Sequence, residues 1–95
     1  MPNYELVFIV NPEVMDDDVP NILNKVSSLV NKVGGIVIEV NHWGRRKLAY
    51  PIKQFAEGNY ILAQLELKPV MIKELEANLQ LSEEILRHLL VRLRG

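Results

Sequence analysis

The sequence predicts an α+β fold. Three segments alternate apolar and polar residues with the period of a strand, and two carry apolar residues at helical spacing. Their order, β-α-β-β-α, sets two strands directly one after the other. A chain of 95 residues is the size of one domain, spanning 1–95, and its 48% of hydrophobic residues supply a core.

Tyr4 to Val10 reads as the first strand. Tyr4, Leu6, Phe8 and Val10 share one face; Glu5, Val7 and Ile9 share the other, which only Glu5 marks as wet. Asn11-Pro12 ends the strand. Asp16, Asp17 and Asp18 are N-cap candidates for a helix with Pro20 in its first turn, where carboxylates also complement the helix dipole. Val19, Ile22, Leu23, Val26, Leu29, Val30 and Val33 follow at helical spacing, and Gly34-Gly35 stops the run.

Gly35 to Val40 is rich in β-branched residues and reads as the second strand. Its alternation breaks at Asn41-His42-Trp43-Gly44, where Gly44 marks a bulge or bend. Lys47 to Ile52 resumes the extended pattern, and Pro51 argues for a sheet edge. Gln54 to Asn59, which contains Gly58, reads as a hairpin loop. Tyr60 to Leu67 is the next strand, with Ile61, Ala63, Leu65 and Leu67 facing one way and Tyr60, Leu62, Gln64 and Glu66 the other. Pro69 opens a second helix carrying Ile72, Leu75 and Leu79. After Ser82 two readings stand. Ile85, Leu86, Leu89, Leu90 and Leu93 fit a helix, which periodicity favours; Leu86, His88, Leu90 and Arg92 would share one face of a strand.

The net charge of −1 conceals blocks. Met1 to Asn24 holds acids and no base. Lys25 to Lys53 holds Lys25, Lys32, Arg45, Arg46, Lys47 and Lys53 against Glu39 alone. Gln54 to Glu84 is acidic again, and the end carries Arg87, Arg92 and Arg94 with no acid. The second and fourth blocks make a basic patch if folding brings them together; otherwise they are ordinary solvated charges. The Arg45-Arg46-Lys47 triplet fits the solvated reading least well.

Catalytic chemistry finds little to work with. The chain has no cysteine, which removes disulfides, thiolate metal sites and cysteine nucleophiles. His42 and His88 have no second ligand at metal-binding spacing, so no metal or cofactor is expected. The aspartate triplet lacks the alternating ligand pattern of a calcium loop. Small acylphosphatases share the β-α-β-β-α-β layout and hold phosphate in the loop after the first strand. Here that loop is Asn11-Pro12-Glu13, where the proline removes an N–H and carboxylates repel the anion. The longest apolar run, Leu6 to Val10, is strand-sized, and the N-terminus lacks the pattern of a signal peptide. A cytoplasmic protein without membrane contact or small-molecule substrate is expected.

The segment Trp43-Gly44-Arg45-Arg46-Lys47-Leu48-Ala49-Tyr50-Pro51-Ile52-Lys53 closely resembles the signature of bacterial small-subunit ribosomal protein six. Tyr4 to Pro12 resembles that family's opening strand and turn, Glu74-Leu75-Glu76 its second helix, and Leu86 to Val91 its last strand. The resemblance implies a ferredoxin-like sandwich: a four-stranded antiparallel sheet with both helices on one face. The undecided last element is then a strand. It also implies a structural role, binding the central domain of small-subunit ribosomal RNA together with ribosomal protein eighteen of the same subunit. Two departures stand out. Pro2 and Asn3 replace the basic start common in the family, and the acidic tail of some relatives is not seen after Leu93-Arg94-Gly95.

Helices on one face leave the other for partners. Val7, Ile9, Tyr60 and Leu62 are the expected protein contacts there, beside Glu5 and Gln64. Arg45, Arg46, Lys47, Lys53, Arg87, His88 and Arg92 are the expected RNA contacts, converging on one cationic rim. Tyr4 belongs to an apolar face and is read as packing; Tyr50 and Trp43 either stack on a base or pack. Only Tyr60 is aromatic in its strand, so recognition by shape and phosphates is favoured over a stacking sheet. The competing class is a ferredoxin-like module that binds a small metabolite or oligomerises through its sheet.

Overall fold

The computed structural model describes residues 1–93, so Arg94 lies outside the described residues. Strands β1 (Asn3–Val10), β2 (Ile36–Ile52), β3 (Phe55–Glu66) and β4 (Ile85–Arg92) form one antiparallel sheet in the order β2-β3-β1-β4. Helices α1 (Val19–Lys32) and α2 (Ile72–Gln80) cover one face, giving the ferredoxin-like order β-α-β-β-α-β. The helical reading of the last element is overturned. β4 pairs with β1 from Tyr4 to Val10 and satisfies the backbone groups along an edge that a helix would leave open.

Alternation decides the core. Tyr4, Leu6, Phe8 and Val10 of β1 point to the helices with Ile61, Ala63 and Leu65 of β3, and all are buried. Val19, Ile22, Val26 and Val30 of α1 close over them, with Leu75 and Leu79 of α2. Full burial of an aliphatic or aromatic side chain contributes about 1.5–3 kcal/mol, so this layer carries most of the folding free energy. Tyr4 belongs to this core, as its alternation predicted.

The helix ends differ in how closely they follow the sequence. Asp16–Asp18 form a 3-10 turn ahead of α1 and supply no side-chain cap; their charge alone faces the positive end of the helix. At the other end Gly34, at φ +81°, donates to the Asn31 carbonyl at 3.0 Å and Gly35 to the Val30 carbonyl at 2.9 Å. That pair of bonds is a Schellman motif, and it turns the chain into β2.

The β2–β3 hairpin departs most from expectation. Its turn is Lys53-Gln54, with φ of +50° and +71°, and β3 starts at Phe55. Two consecutive positive φ values define the tight turn that matches strand twist. Of the expected loop from Gln54 to Asn59, only Gln54 lies in the turn, and the rest is strand from Phe55 onward. Gly58 was misleading because it serves a close approach instead of a turn. A Cβ there would overlap the Ile9 side chain and press on the Val10 carbonyl oxygen at 3.1 Å. β2 carries an extra residue at Trp43, between the pairs His42–Ile61 and Gly44–Tyr60, and Gly44 takes φ +89°. The predicted bulge stands there. Because β1 ends opposite Asn59, β3 from Phe55 to Gly58 and β2 from Arg46 to Ile52 project past the four-stranded sheet as a two-stranded arm.

Candidate nucleic-acid interface

Pairing register assigns the face that the helices leave open. Three cross-strand rows run over it: Gly44–Tyr60–Ile9–Arg87, Asn41–Leu62–Val7–Leu89 and Glu39–Gln64–Glu5–Val91. Val7, Tyr60 and Leu62 thus share one surface, half-buried, while Ile9 is only 8% exposed. Ile9 is covered because the arm curls back over the first row. Leu48, Ala49, Tyr50 and Ile52 close against Val7, Ile9, Tyr60 and Leu89 around a cavity of about 280 Å³. Leu89, 61% exposed, and Val91 extend the apolar surface to the sheet edge. Sequence reasoning missed these two. Their signal, Arg87-x-Leu89-x-Val91, was legible only once the segment was read as a strand.

The cations fall into separate groups. Arg45 shares the helix-side face with Asn59 and Val10. There it donates to Glu57 at 3.2 Å and to the Pro12 carbonyl at 2.8 Å. Arg46 lies over the Trp43 ring, 5.3 Å from its centroid. Lys47 is exposed on the arm beyond it. Arg46, Lys47, Lys53, Arg87 and Arg92 make no ion pair among the described residues. At the arm's tip Lys53 and Arg87 line one recess, and the Arg87 guanidinium donates to the Tyr50 hydroxyl while lying over its ring. Two basic blocks distant in sequence therefore meet at Lys53 and Arg87.

The rest of the expected rim is not continuous. β3 and β1 separate β2 from β4, so at strand spacing the two edges stand roughly 14 Å apart. His88 and Arg92 occupy the opposite face of β4 from Arg87, opposite Phe8 and Tyr4. His88 Nε2 bonds Glu76 of α2 at 2.8 Å, with its side chain largely covered. That carboxylate ties β4 to α2 and occupies the ring nitrogen.

Elsewhere, Lys25 of α1 meets Glu84, just before β4, at 3.0 Å. This hydrogen bond, with smaller help from the Glu84 backbone amide and the Ser82 hydroxyl, holds the Glu84 carboxyl below its ordinary value against a small opposing effect of burial. Among the described residues no cluster of three or more His, Cys, Asp or Glu side chains is placed to hold a metal ion. No helix among them is long and apolar enough to cross a membrane.

A ferredoxin-like sheet with a cationic arm and an apolar uncovered face defines a binding module built for macromolecular partners. Comparison with known proteins gives the family. The profile of the ribosomal protein S6 family matches residues 3–92. Small ribosomal subunit protein bS6 of Clostridioides difficile is 41% identical over 91 residues, covering 96% of this chain and 98% of that protein. The bS6 protein of Desulforamulus reducens is 36% identical over 92 residues, covering 97% of each chain. The crystal structure of 30S ribosomal protein S6 from Thermotoga maritima superposes with a TM-score of 0.89 at 30% identity, covering 97% of this chain and 87% of that one. The chain belongs to the ribosomal protein S6 family. It is a structural constituent of the small ribosomal subunit, a cytoplasmic RNA-binding component of translation and not an enzyme. Membership supports the ribosomal class of the two that the sequence left open.

Proposed function

We propose that the chain joins ribosomal RNA to a second protein in the central domain of the small subunit. The arm carries the RNA contacts and the open sheet face carries the protein contact. Arg46, Lys47 and Lys53 hold phosphate, with Arg45 beside them and Arg87 and Arg92 on β4 as outlying cations. Arginine grips phosphate with paired hydrogen bonds, while lysine supplies a point charge. His88, bonded to Glu76, is the weakest of the expected contacts. The protein partner is ribosomal protein eighteen of the small subunit, docked on the row Leu62–Val7–Leu89 with Tyr60 and Val91 at its margins. Ile9 supports that surface from beneath.

The observation that carries this reading is a projecting arm whose triplet holds Arg46 and Lys47 without a carboxylate partner among the described residues. Self-neutralised cations would have nothing to offer phosphate. The test is binding to central-domain RNA, with and without ribosomal protein eighteen, across a salt series. Arg46→Ala/Lys47→Ala is expected to weaken RNA binding and make the slope of log K against log salt shallower by about two. The melting temperature should hold, because both side chains are exposed. Affinity independent of salt, or an equal loss of thermal stability, would count against the reading.

A further inference from the structure

Trp43 is the single tryptophan of the chain, and it stands outside the buried core. It is the unpaired residue of the β2 bulge and is 46% exposed. It belongs neither to the buried core nor to the partly buried side chains packed against that core. The Arg46 guanidinium lies over its ring. A tryptophan carries a large apolar area, and a strand bend alone does not require one in water. The residues along the strand around it are polar or cationic and exposed: Asn41, His42, Arg46 and Lys47. Arg45 is occupied by Glu57 and the Pro12 carbonyl, whereas Arg46 rests on the ring with its charge unneutralised among the described residues.

We infer that Trp43 and Arg46 form a stacking platform for one unpaired nucleobase of an otherwise folded RNA. This rests on the RNA-binding reading above and adds its first base-level contact. The two side chains offer what a nucleotide presents: an aromatic surface for the base and a free cation for the phosphate beside it. A protein patch would need apolar neighbours, and the side chains nearest to Trp43 in sequence are cationic or polar: the exposed Ile36, Ile38 and Val40 stand three or more residues back along β2, and the broader apolar surface lies on the open face at Leu62, Val7 and Leu89. The base must be unpaired, because within a duplex both of its faces are already stacked.

The sole tryptophan makes the test direct. The full chain is titrated at low salt with a short single-stranded oligoadenylate and with a blunt RNA duplex of the same length, following both binding and tryptophan emission. Oligoadenylate should change the emission in step with binding, and the duplex should bind through phosphates with the emission unchanged. Trp43→Ala should weaken oligoadenylate binding by roughly 5- to 140-fold, the range of a single lost base stack, and leave duplex binding unaltered. Trp43→Phe, which preserves an aromatic face, should recover much of that loss and serves as the test if the alanine variant melts early. Saturation by oligoadenylate without an emission change, or equal losses on both probes, would overturn the platform. An emission change on adding ribosomal protein eighteen alone would overturn it as well. Central-domain RNA separates the two levels: binding with silent emission removes the platform and keeps the RNA role, while no binding removes the RNA role itself.

Discussion

Along β3, two halves of a single strand are held in different ways. From Asn59 to Glu66 it lies between β1 and β2, and Ile61, Ala63 and Leu65 are buried beneath the helices. From Phe55 to Glu57 it has only β2 beside it, and no side chain is fully buried. The first half is fixed by packing, the second by a positive-φ turn and by Tyr50 reaching Arg87. Stability and contact chemistry are thereby assigned to separate ends of the molecule. Substitutions should separate them too. Leu75→Ala, at a site with 0% exposure between α2 and the sheet, is the severest case. A loss of about 2–5 kcal/mol is expected, against a total that is commonly about 5–15 kcal/mol. Urea denaturation measures it. RNA affinity of the fraction still folded should be unchanged, and a direct loss there would break the division.

Tyr50→Phe probes the arm. It removes the hydroxyl that Arg87 donates to and leaves the aromatic face beneath the guanidinium. One exposed hydrogen bond is worth about 0.5–1.5 kcal/mol, so global stability should move little. Local opening should respond more. Amide exchange across Leu48–Ile52 is expected to quicken by up to about tenfold, with the rates of Leu6, Phe8 and Ile61 unchanged. Faster exchange throughout would mean that the arm belongs to the same cooperative unit as the core.

How much of this was legible follows the same division. The core strands announce themselves by period 2, and Tyr4, Leu6, Phe8 and Val10 are buried as that pattern required. The bulge at Gly44 and the edge position of the strand with Pro51 were also readable. Gly58 was not, because glycine marks a turn and a close approach with the same letter, and only the position of Ile9 tells them apart. β4 was unreadable from its own pattern, since Leu86, Leu89, Leu90 and Leu93 fit a helix; its pairing with β1 settles the matter from outside the segment. The candidate site suffered most. One cationic rim assumed that neighbours in sequence share a surface, but a strand sends Arg87 and His88 to opposite faces. Glu76 and Glu57, which claim His88 and Arg45, sit 12 residues from their partners.

The smallest effect lies at the margin of the core, where Lys25 holds Glu84. The Glu84 carboxyl sits below its ordinary value of 4.5, chiefly through that hydrogen bond. A folded-state value lower than the unfolded one means that folding favours the ionised form. The contribution is complete above the ordinary value and fades as pH falls through the lowered one. Both side chains are substantially exposed, at 45% and 39%, so the pair belongs with surface bridges worth about 0–1 kcal/mol. Glu84→Gln should therefore melt slightly below the parent at neutral pH, and the two melting temperatures should draw together as the solution is acidified beneath pH 4.5. The backbone bond from Asn11 to the Glu84 carbonyl survives the substitution, which isolates the side chain as the cause. RNA affinity should be the same for both proteins, because the Glu84 carboxylate is engaged with Lys25 of α1 and not with Arg46, Lys47 or Lys53. A gap in melting temperature that stays constant with pH would show that Glu84 acts through geometry and not through charge.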